Sequence, residues 1–202
     1  MNRRLGVLIS GRGSNLQAII DAIREDRLDA GIAVVISNRA EAAGLDRARE
    51  AGIETLYISH RAFPLRDDFD RALVEALRAR NVGVVCLAGF MRLVGGPMLE
   101  AFPDAILNIH PSLLPAFPGV DAQRQALEYG VKVTGVTVHL VTPELDGGPI
   151  VLQRSVPVLD GDTVESLSAR ILVEEHRAYP DAINLLLQGR WRLEGRRLLS
   201  GR

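Results

Sequence analysis

The chain has few of the features that mark extracellular, membrane-bound or polyanion-binding proteins. Its 202 residues include one cysteine, and its formal net charge is −1. One cysteine excludes a disulfide framework within the chain, and the charge balance gives no general attraction to nucleic acid or membranes. The apolar run near the N-terminus stops at Ser10 and Gly11, too early for a signal peptide or a membrane span. We expect a cytoplasmic protein with no nucleic-acid or membrane partner.

The composition is otherwise that of a globular domain, with 47% hydrophobic and 24% charged residues. We expect one domain over residues 1–202, and the sequence does not separate a monomer from a homodimer. Cys86 lies in an apolar run, which favours a buried, unreactive thiol.

Short β-branched runs alternate with segments of helical period through the first 89 residues. Strands are predicted at 5–10, 32–37, 53–58 and 82–89, and helices at 15–26, 41–52 and 67–81. This order predicts a parallel sheet between helices. The 5–10 strand is apolar on both faces, so it should be central.

The second half of the chain follows a different pattern. Strands are predicted at 105–109, 133–142 and 150–158, the first followed by a proline-rich loop and the last two joined by a glycine-rich turn as an antiparallel pair. A long helix should begin with Asp162 or Thr163 as its cap, and Pro180 should kink or interrupt it. Residues 191–202 suggest a small hairpin or edge appendage. The predicted fold is α/β: a Rossmann-like, three-layer αβα arrangement whose mostly parallel central sheet is extended by antiparallel strands.

The turn SGRGSN, residues 10–15, joins the first strand to the first helix. Its backbone amides and the helix dipole could hold an anion. Equally, the glycines could serve a tight turn with Ser14 capping the helix. A dinucleotide site is disfavoured, because Leu16 stands where the third fingerprint glycine belongs and no acidic residue ends the second strand.

A second polar constellation lies in ILNIHPSLLP and ELDGGP. Asn108 and His110 are two residues apart in a strand, so they share a face, and Asp146 could approach them from its turn. An amide, an imidazole and a carboxylate suit acyl transfer to an amine, since donors stabilise an oxyanion and a base removes the amine proton. Taken alone, His110 could equally anchor its loop, and Asp146 could simply be one of the residues that turns favour.

Two other chemistries are disfavoured at these residues. Metal binding is considered because His139 lies nearby, but no HExxH, HxH or paired CxxC spacing occurs, so no metal is expected. A serine hydrolase would need a GxSxG elbow, whereas Ser112 lies between prolines.

The chain resembles the phosphoribosylglycinamide formyltransferases, the folate-dependent enzymes of purine synthesis, over nearly its whole length. The resemblance is carried by VLISGRGSNLQAII, LAGFMRLV, LNIHPSLLP, TGVTVHLVTPELDGGPIVLQ and EEHRAYP in that order. It implies the formyltransferase fold. Relatives that share only the Asn, His and Asp motifs usually carry a further domain for tRNA contact or regulation, and with 202 residues we expect none here. The family's loop after SLLP often has a basic residue and histidines where this chain has Ala116, Asp121 and Gln123, which leaves loop closure open.

The resemblance also implies the substrates and their sites. The donor would be 10-formyltetrahydrofolate and the acceptor 5′-phosphoribosylglycinamide (GAR), with Asn108, His110 and Asp146 catalytic. The acceptor would meet Gly13, Ser14 and Asn15 through its phosphate and Glu175 through its ribose. The donor would contact Arg66, Met91, Arg92, Leu93, Val94, Asn108, Thr142, Pro143, Glu144, Leu145 and Asp146. His139 would support the site at most, and His60 and His176 receive no catalytic role.

Two rival functions use the same residues in part. A formyltetrahydrofolate hydrolase would transfer the formyl group to water and release formate, and this reaction does not require the anion-binding turn. A non-catalytic folate or nucleotide sensor has no need of Asn108, His110 and Asp146 together.

Overall fold

The architecture is given by a computed structural model that describes residues 2–200. The strands are β1 (Arg4–Ile9), β2 (Gly31–Ser37), β3 (Thr55–Tyr57), β4 (Val84–Leu87), β5 (Ile106–His110), β6 (Val133–Leu140), β7 (Ile150–Pro157), β8 (Trp191–Glu194) and β9 (Arg197–Ser200). The helices are α1 (Ser14–Arg24), α2 (Gly44–Glu50), α3 (Arg66–Arg78), α4 (Gly96–Ala101), α5 (Ala122–Tyr129) and α6 (Val164–Gln188), with a 3₁₀ turn at His60–Ala62.

Within the described range the strands form one mixed sheet in the order β3-β2-β1-β4-β5-β6-β7-β9-β8. The first five strands pair in parallel, and β6 runs antiparallel to both β5 and β7. The sheet is therefore mostly parallel on one side and extended by antiparallel strands on the other, as predicted. Strand β1 is interior, since it pairs with both β2 and β4 and is buried from Leu5 onward.

Apolar side chains alternate between the two faces of β1, and each face is covered by helices. Leu5, Val7 and Ile9 belong to a core with α1 and α6, whereas Leu8 packs with residues of α3 and α4. Because successive side chains of a strand point to opposite faces, β1 contributes residues to two separate hydrophobic cores. The predicted three-layer αβα arrangement is confirmed.

Several element boundaries differ from the predictions. The strand expected at 82–89 is regular only over β4, and the one expected at 105–109 is shifted by one residue, so His110 ends β5 rather than following it. The short helices α4 and α5 were not predicted. Each is under nine residues long and lies among glycines and prolines, so the segment is too short for a helical period to be recognised.

Helix α6 bears on two predictions, its N-cap and the effect of Pro180. Thr163 is its N-cap and forms a reciprocal capping box with Ser166. Pro180, however, does not interrupt the helix, which continues to Gln188. Proline removes one helical hydrogen bond, but the neighbouring Tyr179 and Ile183 are fully buried against the sheet, and this packing holds the helix together.

Tyr179 ties α6 to the sheet. Its buried hydroxyl lies 2.9 Å from the carbonyl oxygen of Leu87 and 3.1 Å from that of Leu107, in the neighbouring strands β4 and β5, and its single proton is shared between them. We expect Tyr179→Phe to lower the free energy of unfolding by about 1–3 kcal/mol, because a buried hydrogen bond between α6 and the sheet is lost. Urea denaturation measures this. Tyr129→Phe is the matched control and should change stability little, since Tyr129 is 79% exposed. Equal losses in both variants would refute the role of the Tyr179 hydroxyl.

The C-terminal segment forms the predicted hairpin, and β9 pairs with β7 at the sheet edge. The remaining residues of that prediction, 201 and 202, lie outside the described residues. Among residues 2–200, no helix has the length and apolar character needed to cross a bilayer.

Candidate functional site

Asn108 and His110 stand on β5 opposite the next strand. In the antiparallel register Asn108 pairs with His139 and His110 with Thr137 of β6. The side-chain nitrogen Nδ2 of Asn108 lies 3.2 Å from Nε2 of His139. Nδ1 of His139 lies 2.9 Å from the Leu140 carbonyl, and since a carbonyl only accepts, Nδ1 carries a proton. This leaves Nε2 of His139 facing the site.

Asp146 returns to this strand pair from the turn after β6. One carboxylate oxygen, Oδ2, lies 3.4 Å from Nδ1 of His110, and the other, Oδ1, lies 3.7 Å from Nε2 of His139. The side chains of all three residues are at least 92% buried, with 8% exposure at most. The backbone of Asp146 is left-handed, with φ of 49°, which aspartate tolerates better than most residues. The three residues predicted to be catalytic therefore converge, and His139 joins them.

The environment of Asp146 favours its charged form. Burial alone would raise the pKa of this carboxyl, but contact with His139, the Gly119 N–H and the charge of His110 outweigh burial and hold the pKa below its ordinary 3.8. A base that is ionised throughout the neutral range is thus present beside two imidazoles.

The proline-rich loop supplies backbone partners to the same groups. The Gly119 N–H donates to Oδ2 of Asp146 at 2.8 Å, and Nε2 of His110 lies 2.8 Å from the Phe117 carbonyl. Because that carbonyl can only accept, Nε2 of His110 is protonated, and a second proton on Nδ1 would face the Asp146 carboxylate. The loop thereby orients the ring and holds a hydrogen-bond acceptor where an external oxygen could bind.

The glycine-rich turn leads directly into α1. Its N-cap is Gly13, with φ of 72°, and Ser14 is the first helical residue, so the alternative in which Ser14 caps the helix is wrong. A Cβ at Gly13 would lie 2.6 Å from Cα of Gly44, which requires glycine for close contact with α2. The first amides of a helix have no intrahelical acceptor, so those of Ser14 and Asn15 suit an anion.

Glu175 of α6 meets this turn. Nδ2 of Asn15 donates to Oε2 of Glu175 at 2.7 Å, and both residues are 9% exposed. Burial raises the pKa of Glu175, opposed by the Asn15 hydrogen bond and the charge of Arg12. Oδ1 of Asn15 is buried without a hydrogen-bond partner in the described part of the chain. The pair therefore presents acceptor oxygens suited to hydroxyl or amine donors.

The Asn15–Glu175 pair and the strand residues share one edge of the sheet. Asn15 lies in the first turn of α1, which follows the carboxyl end of β1, and Asn108 and His110 lie at the carboxyl end of β5. Because β1, β4 and β5 run parallel, these carboxyl ends lie along the same edge.

The residues predicted to contact the donor lie on three segments. Arg66 begins α3, and the exposed side chains of Met91, Arg92 and Leu93 follow β4. Val94 is half-buried and packs in the same core as Val141, directly before Thr142. The loop from Thr142 to Asp146 also carries Pro143 and an exposed Leu145, and Arg196 of the terminal hairpin pairs with Glu144 at 3.1 Å.

Sequence reasoning missed several partners of these residues. Phe117 and Gly119 act through backbone atoms, which leave no signature of residue type, and the contact of His139 with Asn108 depends on strand register. Burial raises the pKa of the Cys86 thiol to about 12, in line with the unreactive thiol expected. In the range 2–200 no group of three or more His, Cys, Asp or Glu side chains is arranged to hold a metal ion.

Comparison with known proteins relates this arrangement to a family. The formyl transferase family model matches residues 3–183. Phosphoribosylglycinamide formyltransferase of Escherichia coli is 46% identical over 187 residues, which cover 93% of this chain and 88% of that protein. A glycinamide ribonucleotide transformylase 1 structure from Symbiobacterium toebii superposes with a TM-score of 0.97 at 62% identity, covering 100% of this chain and 95% of that one.

A second group of relatives is much longer. The trifunctional purine biosynthetic protein adenosine-3 of Bos taurus is 51% identical over 190 residues, which cover 94% of this chain but 19% of that protein. The chain thus spans about a fifth of such relatives. The family model covers most of the residues, and the E. coli and S. toebii proteins match this chain along almost its full length. The chain belongs to the formyl transferase family.

Proposed function

We propose that the chain transfers the formyl group of 10-formyltetrahydrofolate to the glycine amine of GAR, giving formyl-GAR and tetrahydrofolate for purine synthesis. The observation that carries the proposal is the convergence of Asn108, His110 and Asp146 at the sheet edge that also carries the Asn15–Glu175 pair. Acyl-transfer groups and an acceptor-binding pair at one sheet edge suit an amine substrate that also carries a phosphate. The names of the E. coli and S. toebii relatives support the same reaction.

The chain offers suitable residues for the donor. Met91, Leu93 and Leu145 are large apolar side chains that are 66%, 58% and 56% exposed, and such exposed apolar surface fits a flat ring system. Arg66 and Arg92 provide cations for the carboxylates of the folate tail. The donor supplies an activated formyl carbonyl, and we infer that these residues hold it against Asn108.

The acceptor would be held by α1 and α6. We infer that the Gly13, Ser14 and Asn15 amides bind its phosphate, aided by the helix dipole, and that Glu175 accepts hydrogen bonds from its ribose hydroxyls. A charge-assisted hydrogen bond to a buried carboxylate is directional as well as strong. Glu175 would therefore set the distance between the phosphate and the amine.

In the reaction, negative charge develops on the formyl oxygen as the amine adds to the formyl carbon. Asn108 donates to that oxygen through Nδ2, and His110 donates through the protonated Nε2 that now contacts Phe117. Asp146 stabilises the imidazolium of His110 through Nδ1 and accepts the amine proton, directly or through a water. The Phe117 carbonyl gives way to the formyl oxygen at Nε2.

The substitution Glu175→Gln should weaken acceptor binding but raise the stability of the fold at high pH. We expect the KM for GAR to rise about ten-fold, because a neutral amide accepts weaker hydrogen bonds, with the donor KM unchanged. Burial raises the pKa of Glu175, so ionising it costs stability as pH rises above the unfolded value of 4.5. The variant should therefore be more stable than wild type at pH 8, and the difference should vanish near pH 4.

Steady-state kinetics and urea denaturation at both pH values measure these effects. Glu174→Gln is the matched control, since Glu174 neighbours it on α6 but pairs with Arg154 and Arg177 at the surface. An unchanged KM for GAR in Glu175→Gln would remove Glu175 from the acceptor site.

One assay separates the proposal from its rivals. Purified protein is mixed with 10-formyltetrahydrofolate with and without GAR, and tetrahydrofolate and formate are followed. The transferase predicts tetrahydrofolate only when GAR is present and no formate. Formate without GAR would indicate the hydrolase, and no turnover in either arm would indicate the sensor.

A further inference from the structure

The segment 91–94, which follows β4 and carries four of the predicted donor contacts, lies outside the helices and strands. Its backbone is nevertheless fixed at both ends by side chains from other elements. The Met91 N–H donates to Oγ of Ser10 at 2.8 Å, and the Gly95 N–H donates to Oδ2 of Asp70 at 2.7 Å. Exposed side chains thus project from a backbone held by buried groups.

Asp70 is an unusual anchor because it is almost fully buried. The residue is 1% exposed and lies one helical turn after Arg66 on α3. Carboxylates are seldom buried to this degree without a specific partner. A Cβ built on Gly95 would lie 2.6 Å from Oδ2 of Asp70 and 3.2 Å from Nε of Arg66, so the carboxylate, the glycine backbone and the guanidinium pack directly on one another.

The charges around Asp70 are those of the proposed donor site. Burial raises the pKa of Asp70 most strongly, the Gly95 N–H and the charges of Arg66 and Arg92 lower it, and Asp67 raises it. Arg66 packs against the Asp70–Gly95 contact, and Arg92 lies on the segment that this contact fixes. The contact can therefore hold both cations in place before a dianionic ligand tail binds.

We propose that Asp70 is a positioning residue for the formyl donor: it fixes the segment 91–94 through the Gly95 N–H and holds Arg66 and Arg92 ready for the donor's carboxylates. The proposal rests on the proposed function, because it takes the ligand of this segment to be 10-formyltetrahydrofolate. Asp70 itself touches no substrate.

The test compares Asp70→Asn with Asp67→Asn, a matched control on the same helix whose carboxylate is exposed. The dissociation constant of 10-formyltetrahydrofolate is measured by calorimetry, and kcat and both KM values by steady-state kinetics. Asp70→Asn should weaken donor binding and raise the donor KM by about ten-fold, as expected for loss of one charged hydrogen-bond partner. The KM for GAR should stay within about two-fold.

A second variant approaches the same contact from the other side. Gly95→Ala, whose new Cβ would displace the Asp70 carboxylate, should weaken donor binding as Asp70→Asn does. The double variant should be little worse than either single variant, because both break one interaction. Hydrogen exchange of the Gly95 amide should also quicken in Asp70→Asn.

Each outcome decides the proposal. Donor affinity no weaker in Asp70→Asn than in Asp67→Asn overturns it, as do parallel changes in kcat and both KM values, which indicate a general structural defect. If circular dichroism finds Asp70→Asn unfolded, donor binding by Gly95→Ala decides in its place. Wild type that binds the donor without transferring its formyl group overturns the proposed function alone, whereas wild type that does not bind the donor overturns both.

Discussion

Asp146→Asn is expected to lower kcat by about 10²–10⁴-fold, the range that a positioned general base contributes. Asparagine keeps the size of the side chain and can still accept from the Gly119 N–H, so the turn should keep its shape. It loses the charge that faces His110 at 3.4 Å and the capacity to take the amine proton. Substrate KM values should change far less than kcat, because the loss falls on the transition state.

Single-turnover and steady-state kinetics at saturating substrates measure this effect. Asp160→Asn is the matched control, since Asp160 is an exposed loop residue paired with Lys132. The pKa of Asp146 lies below its ordinary 3.8 because His139, Gly119 and His110 together outweigh burial. The carboxylate therefore stays charged as pH falls from 8 to 5, and wild-type activity in that window should not be lost through its protonation. Near-normal kcat in Asp146→Asn would refute its catalytic role.

His110→Ala is expected to lower kcat by about 10²–10³-fold, because one oxyanion donor is lost. The same substitution frees the Phe117 carbonyl and leaves Asp146 without one imidazole partner. Since His110 and Asp146 act on each other, the double variant should lose little more than the worse single variant. Rapid-quench kinetics of the two singles and the double give the coupling.

The control for this series is His176→Asn. His176 lies on α6 and has its pKa lowered chiefly by burial, with Asp21 opposing, but it takes no part in the proposed reaction. It should keep wild-type kcat. Fully additive losses in the double variant would contradict a mechanism in which Asp146 works through His110.

Much of the fold could be predicted because its signals are local. The buried run of β1, the alternating helix periods and the glycine-rich turn before β7 each act within about ten residues, and all appear in the structure. Pro180 does not interrupt α6, one of the two effects predicted for it, because tertiary packing overrides a local helix breaker. That residues 1–202 act as one domain stays a prediction.

The residue types of the candidate site could be predicted from the sequence, but the contacts between those residues could not. The strand period put Asn108 and His110 together, yet the approach of Asp146 depends on a left-handed turn and on strand register. The Asp70–Gly95 contact joins residues 25 apart through a buried carboxylate, and no spacing rule indicates such a pair. The roles assigned to these residues remain predictions that the variants above test.

The central claim is that a formyl group passes directly from folate to an amine. The most direct measurement uses 10-formyltetrahydrofolate with ¹³C in the formyl carbon, incubated with GAR and the protein and followed by NMR. The account predicts that the label moves entirely into a formamide attached to the glycine nitrogen, and that Asp146→Asn slows this transfer without diverting it. Label released as free formate, with GAR left unmodified, would contradict it.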